Sequence, residues 1–415
     1  TNLGSIAKVQ TGPFGSQLHE KDYVEQGTPI ITVEHMGYGS IIEDNIPCVS
    51  ESDTLRLKKF LLKTGDIVFS RVGSVDRSVL IKEYEDGWMF SGRCLRVRVT
   101  TNDILPTYLY YYFTQNSFRQ YVRNNAVGAT MPSLNSSILR RLKIIYPSIS
   151  KQKQITEILS AVDDSLSNNR RRIQLLEEAA RLLFREWFVY FRFPGHEKVH
   201  PIRKSNSNGV KIVDGVPKGW ERIKFKDIIS TIESGGRPKG GAIDEGIPSI
   251  GAENVNGIGR YDYSSEKYVP EEYYQNMKKG KVISKDVLLY KDGANIGRVT
   301  IVGYGFPHNK CCVNEHVFIL RTKNNIQNWL YFFLSQDFIR QAVANLNSNC
   351  AQPGISQDKL SSLKIIFPDE EIVRLFDDVT ESIVKQIFTL SIQNQKLAQA
   401  RDLLLPPLMS GAIEV

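Results

Sequence analysis

The stretch "YLYYYFTQNSFRQYV" at 108–122 is answered 221 residues later by "WLYFFLSQDFIRQAV" at 329–343. Extended without gaps to 108–147 against 329–368, the match gives fourteen identities in forty positions and ends on "LRRLKIIYP" and "LSSLKIIFP". Upstream of it, "GDIVFSRVGSVDRSVLI" at 65–81 pairs with "KDVLLYKDGANIGRVTI" at 285–301. Further up, "TPIITVEHM" at 28–36 pairs with "IPSIGAENV" at 247–255, and "LGSIAKVQTG" at 3–12 with "FKDIISTIESG" at 225–235. Shared composition does not preserve order and offset together, so the chain is two copies of one plan. One piece lacks a counterpart. "VPKGWERIKF" at 216–225 opens the second copy, whereas the first has only "TNL" ahead of Gly4, so residues answering Pro217, Gly219 and Trp220 are expected ahead of Thr1.

Each copy starts with about 150 residues of short β-like runs such as "DIVFSRV" and "DVLLY", broken by Gly, Pro and Asn turns, and becomes helical in its last third. After Pro147 and Pro368 a long helical pattern follows. In the first copy Ile155, Leu159, Val162, Leu166, Ile173, Leu176, Ala180, Leu183 and Trp187 form a heptad seam, with Asn169 in the slot between Leu166 and Ile173. The second repeats the idea less strictly through Ile372, Phe376, Val379, Ile383, Ile387, Leu390, Leu397 and Leu404, and Asn394 answers Asn169 loosely. A seam of this length needs a partner, and the matching one is on the other long helix. The expected fold is α+β: two similar mixed α/β domains separated by two long helices that form an antiparallel coiled coil, with a pseudo-two-fold internal repeat. About 40 helical residues reach roughly 60 Å, enough to act as a spacer.

A length of 415 residues suggests two to four domains, and 41% apolar with 24% charged side chains is a globular composition. No apolar run is long enough for a membrane-spanning helix and the start lacks a secretory signal pattern, so a cytoplasmic protein with no membrane partner is expected. The balance of 53 Lys+Arg against 45 Asp+Glu, +8, favours a polyanionic partner. Cys48, Cys94, Cys311, Cys312 and Cys350 include no CxxC pair and read as free thiols. The chain has no GxxxxGK[ST], HExxH, GxSxG or GxGxxG signature, and "PDEE" at 368–371 reads as a helix opening. His196 and His200 are i,i+4 in a Pro- and Gly-containing linker that is a poor metal site. No catalytic residue, metal ligand or cofactor of this chain's own is expected.

Basic and amide side chains beside turns remain. "SRVGSVDRS" carries Arg71 and Arg77 around Gly73, followed by Arg93, Arg96 and Arg98 of "GRCLRVR". "YKDGANIGRV" carries Lys291, Asn295 and Arg298, followed by Lys310 of "PHNKCC". "GPFGSQL" at 12–18 adds Ser16 and Gln17. Such side chains suit phosphate oxygens and base edges, and a solvated turn is the plain alternative for each. Arg119-Gln120 and Arg340-Gln341 recur on equivalent helices, which favours structural or backbone-positioning roles, because residues that select bases should differ between copies.

On these segments, with "PKGWERIKFKDI" and "FGSQL", the whole chain resembles the DNA-specificity subunits of type I restriction–modification systems. The resemblance implies sequence-specific binding to a bipartite double-stranded DNA target by two target-recognition domains, 1–148 and 216–368. It implies a central spacer helix at 149–190, a linker at 191–215, a distal spacer helix at 369–405 and a tail at 406–415. Leu159, Val162, Leu166, Asn169, Ile173 and Leu176, with Val379, Ile383, Leu390 and Leu397, would then set the gap and dock methylation subunits. Those partners would supply adenine methylation with S-adenosylmethionine, and restriction/translocase subunits would supply ATP- and Mg2+-dependent chemistry. A non-catalytic coiled-coil adaptor without base-specific readout is the alternative.

Overall fold

The computed structural model describes residues 1–37, 39–126, 128, 132–195, 212–213, 216–347 and 354–414. His196, His200 and Cys350 lie outside the described residues. The chain forms two compact units, Thr1–Asp164 with Gln399–Val415, and Ser165–Ala398.

In unit 1 the strands Ala7–Thr11, Cys94–Val99, Ile67–Ser70 and Ser78–Leu80 form one antiparallel sheet in that spatial order. A second sheet runs Tyr23–Val24, Cys48–Val49, Thr28–Ile31, Met89–Phe90, its last pair parallel. Unit 2 repeats the first sheet as Ile229–Ser234, Val317–Thr322, Val287–Tyr290 and Val299–Ile301. It repeats the second as Tyr268–Val269, Ile247–Ile250 and Cys312–Val313, again with a parallel last pair.

The apolar run at the centre of each main sheet is buried on both faces, because alternate side chains enter different cores. Ile67 and Phe69 join the large core of unit 1 while Val68 joins the smaller one under the second sheet. Val287 and Leu289, against Leu288, divide the same way in unit 2. The aromatic helices that carry the sequence repeat, Pro106–Thr114 and Gln327–Leu334, lie in the large cores.

A buried ion pair recurs beneath each main sheet. Arg98 donates to both Asp66 carboxylate oxygens at 2.6 Å and to the Leu61 carbonyl at 3.1 Å. Arg321 donates to both Asp286 oxygens at 2.7 Å and to the Lys281 carbonyl at 3.1 Å. Each aspartate also accepts a backbone N–H three residues upstream, from Lys63 and Ile283, at 2.8 Å. Burial pushes the Asp286 carboxyl up even though the Arg321 guanidinium pulls it down.

The long helices span Ile149–Phe188 and Glu370–Ser410, the latter continuing through Pro406 and Pro407. They pack together. In unit 2, Phe184 and Trp187 of the central helix lie 5.6 and 5.7 Å from Phe376 near the start of the distal helix. In unit 1, Ile155 and Leu159 share a core with Leu405 and Leu408, and Arg401 reaches Asp163 at 3.0 Å. The late part of one helix meets the early part of the other, as an antiparallel pair requires.

The seam of the central helix lies where the heptads put it, with Leu159, Leu166, Asn169, Ile173 and Ala180 buried and Val162 and Leu176 partly so. The distal seam is a correction. Val379 is 44% exposed and Ile383 and Leu397 are only half-buried; Phe376, Ile387 and Leu390 are inside as expected, joined by Val373, Thr380 and Val384. Thr380 can enter because its hydroxyl donates to the Phe376 carbonyl at 2.8 Å, which removes the cost that a polar residue at a seam implies.

Candidate nucleic-acid interface

In each unit the loop after the central strand is fixed by two backbone bonds. In unit 1 the Arg71 N–H donates to the Arg93 carbonyl at 2.8 Å, and the Arg71 carbonyl accepts from Leu134 at 2.8 Å. In unit 2 the Lys291 N–H donates to the His316 carbonyl at 3.1 Å, and the Lys291 carbonyl accepts from Ile355 at 3.0 Å. Gly73 and Gly293, with φ of 70° and 75°, turn both loops through the left-handed region that glycine enters without strain. Arg71 and Lys291 are therefore equivalent, as are Arg93 and His316.

Farther along, the Arg77 and Arg298 carbonyls close the loops by accepting from Ser70 and Tyr290 at 3.0 and 2.9 Å. Arg77 donates to the Met36 carbonyl at 3.4 Å and Arg298 to the Asn256 amide oxygen at 3.3 Å. The two arginines thus reach corresponding loops after the Thr28–Ile31 and Ile247–Ile250 strands.

A third loop joins each site. Gly12 and Gly235 occupy one position of the repeat, and a Cβ at either would collide with a carbonyl oxygen, of Ser91 or Val313. This seating brings Phe14, 58% exposed, beneath the Arg71 guanidinium at 6.0 Å, and Arg71 also donates to the Gly92 carbonyl at 3.3 Å. Ser16 is exposed in the following turn. The Gln17 carbonyl accepts from Arg56 at 2.9 Å, and its side-chain oxygen is buried without a hydrogen-bond partner. The position of Phe14 is taken in unit 2 by Arg237, which pairs with Glu315 at 2.7 Å. His316 lies 2.9 Å from Asp292.

The structure brings Arg71, Arg77 and Arg93 of unit 1 onto connected loops with the "GPFGSQL" turn, and Lys291, Asn295 and Arg298 of unit 2 onto one loop. Arg93 and Asn295 are exposed. Lys291 is largely covered, its ammonium 5.2 Å from the Phe318 ring centre and 3.7 Å from Asp292. Lys310 belongs to a different neighbourhood, ion-paired with Glu271 and 4.9 Å from the Tyr274 ring centre. Arg96 and Arg98, read as continuing the basic surface, face inward. Arg96 is buried, donates to the Leu61 carbonyl at 2.9 Å and bonds the Gln10 side chain, and Arg98 holds Asp66.

Sequence reasoning missed Phe14, Arg237 and His316. The first two occupy one position of the repeat, a signal available in the alignment of "TGPF" with "SGGR".

Among the described residues no group of three or more His, Cys, Asp or Glu side chains is placed to hold a metal, and no helix is long and apolar enough to cross a membrane. Burial pushes the Cys94 and Cys311 thiols up to about 12, leaving neither a nucleophile at neutral pH.

The duplicated scaffold thus carries two equivalent but non-identical basic loop clusters, one in each unit. The model of the type I restriction modification DNA specificity domain matches residues 1–178 and 217–391, and the chain belongs to that family of non-catalytic specificity subunits. It is 26% identical to the MjaIX type I restriction enzyme specificity subunit of Methanocaldococcus jannaschii, over 76% of this chain and 71% of that one. With the putative MjaX specificity subunit of the same organism it shares 24% identity over 94% of this chain and 88% of the relative. The crystal structure of the type I restriction-modification S subunit from M. genitalium has the same fold, with a TM-score of 0.59 over 99% of this chain and 95% of that one at 15% identity.

Proposed function

We propose that the chain reads a bipartite duplex DNA target, with 1–148 and 216–368 each recognising one half-site. One observation carries this: the two units hold one loop backbone and differ in what it displays, Phe14, Arg71 and Arg93 against Arg237, Lys291 and His316. A constant frame with changed donors is what two different half-sites demand, since sequence is read by side chains on base edges while the frame is set by phosphate contacts. Arg77 and Arg298, with Ser16, Gln17 and Asn295, complete the proposed contacts.

The paired helices fix the distance between the half-sites and dock methylation subunits. The exposure of Val379, Leu175 and Leu182 gives the docking reading its apolar surface. Those partners carry out adenine methylation with S-adenosylmethionine, and restriction/translocase subunits use ATP and Mg2+.

Selection from random duplexes by the full chain, with and without its methylation subunit, tests the proposal. Two short fixed motifs separated by a constant random gap are expected, and absence of enrichment under both conditions would overturn it. Removing one heptad from both helices shortens them by about 10 Å. The preferred gap should fall with it, whereas an unchanged preference across a spacer series would remove the ruler role.

A further inference from the structure

Unit 2 contains a cleft of about 220 Å³ lined by Arg181, Arg260, Arg298 and Arg340, with Asn256 and Ser335 between them and no carboxylate in its wall. Its walls are a turn of the central helix, the loop after the Ile247–Ile250 strand, the recognition loop and the helix Asp337–Ala344. Behind it the buried Glu177 carboxylate takes Arg181 on one oxygen and Arg260 on the other, each at 2.9 Å. One negative charge thus serves two of the four guanidinium groups. Among the described residues Arg298 donates to the neutral Asn256 and pairs with no carboxylate, and the acidic neighbour of Arg340 is Asp337, fully exposed and 3.8 Å away.

Unit 1 answers the same electrostatic problem internally. Arg77 and Arg119 stand where Arg298 and Arg340 stand in the repeat, but the residue before Arg77 is Asp76, which binds Arg123 at 2.6 Å. Burial raises the Asp76 carboxyl, but the hydrogen bond from Arg123, with a backbone hydrogen bond and the Arg123 and Arg119 charges behind it, outweighs burial and holds it below its usual range. Counted from the loop-closing backbone bonds that equate Arg77 with Arg298, the position of Asp76 in unit 2 is Gly297, and that of Arg123 is Ala344. The carboxylate beside the recognition-loop arginine is gone, while Arg181 and Arg260 stand in the same cleft.

We propose that this cleft holds a backbone phosphate of bound DNA, and that the described residues of unit 1 form no equivalent site. The proposal rests on the DNA-reading function above. Planar guanidinium forks match phosphate oxygens, and partly desolvated like charges repel until an anion enters. An anion here would tie Arg298 of the recognition loop to Arg181 of the central helix, so that seating the backbone and orienting the reading loop become one event.

The experiment compares the wild type, Arg340→Gln and Arg119→Gln as full chains on the selected duplex and on a scrambled one, across 50 to 200 mM salt, with melting curves as a check on folding. Arg340→Gln should weaken both duplexes alike by roughly 3- to 10-fold and reduce the slope of log K against log salt by about one, because one phosphate contact is lost, while Arg119→Gln leaves the slope unchanged. An unchanged slope in Arg340→Gln, with the wild type still binding its selected duplex, overturns the phosphate site and leaves the DNA-reading function intact. Weakening confined to the selected duplex would mean a base contact and also overturns it. Wild-type failure on both duplexes, with and without the methylation subunit, removes the DNA-reading function itself. Two further probes overturn the assignment to DNA if Arg340→Gln abolishes their binding while the DNA slope stays fixed: inorganic pyrophosphate, marking a free anion site, and an oligoglutamate peptide, marking a protein segment.

Discussion

The two units share their strands, their buried aspartate–arginine pair and the backbone bonds that set the loops, yet they display different side chains. In unit 1 the surface around Arg71 carries an aromatic ring, Phe14. In unit 2 the same position is a charged group, Arg237, tied to Glu315. The constant parts are buried and geometrically demanding, and the variable parts are the ones in water. The stability of each unit and its recognition are therefore separable properties.

The sharpest way to break that comparison is to remove the shared ion pair. Asp66→Ala and Asp286→Ala each strand a largely buried guanidinium and should each cost about 3 kcal/mol in urea unfolding. A difference between the two of more than about 1 kcal/mol would show that the repeated geometry does not mean repeated energetics.

Next in size are the reading loops. Arg77→Gln and Asn295→Ala should each lower affinity about 10-fold, with sensitivity lost at one half-site only, measured by competition with DNAs altered in either half. Loss at both half-sites from one substitution would end the division of labour between the units.

The smallest effect concerns a feature of unit 2 in which burial raises Asp377 to about 6, partly offset by the hydrogen bond from the Trp329 N–H at 2.9 Å. The folded state binds this proton more tightly than the unfolded state, so stability from this group falls as pH rises from about 4 to 6, and the full penalty stands above 6. Asp377→Asn should therefore be more stable than the wild type at pH 8 by on the order of 1 kcal/mol, with the gap closing at pH 5. A gap independent of pH in thermal melts would mean that the carboxyl is not buried as charge.

Much of the fold was legible because the repeat preserved its heaviest elements, the aromatic helices and the doubly buried strands. The central helix seam was legible too. The distal seam was misplaced because Thr380, polar on paper, satisfies its own hydroxyl within the helix and goes inside, turning Val379 outward. Arg96 and Arg98 looked like surface charge because their partners, Gln10, Leu61 and Asp66, are distant in sequence and meet them only in the folded sheet. Arg181 was invisible for a similar reason: it joins Arg298 in one cleft only after a long helix has been laid against the unit.

Gly12 and Gly235 have a consequence beyond their turns. Each is seated so closely on a strand-end carbonyl that no side chain fits, so neither position can contribute to a code. The residues just after them differ between the copies, a ring at Phe14 and a charge at Arg237. Under the proposed reading, the molecule is a pair of type cases cast from one mould, in which a letter can be replaced in either case without recasting the other.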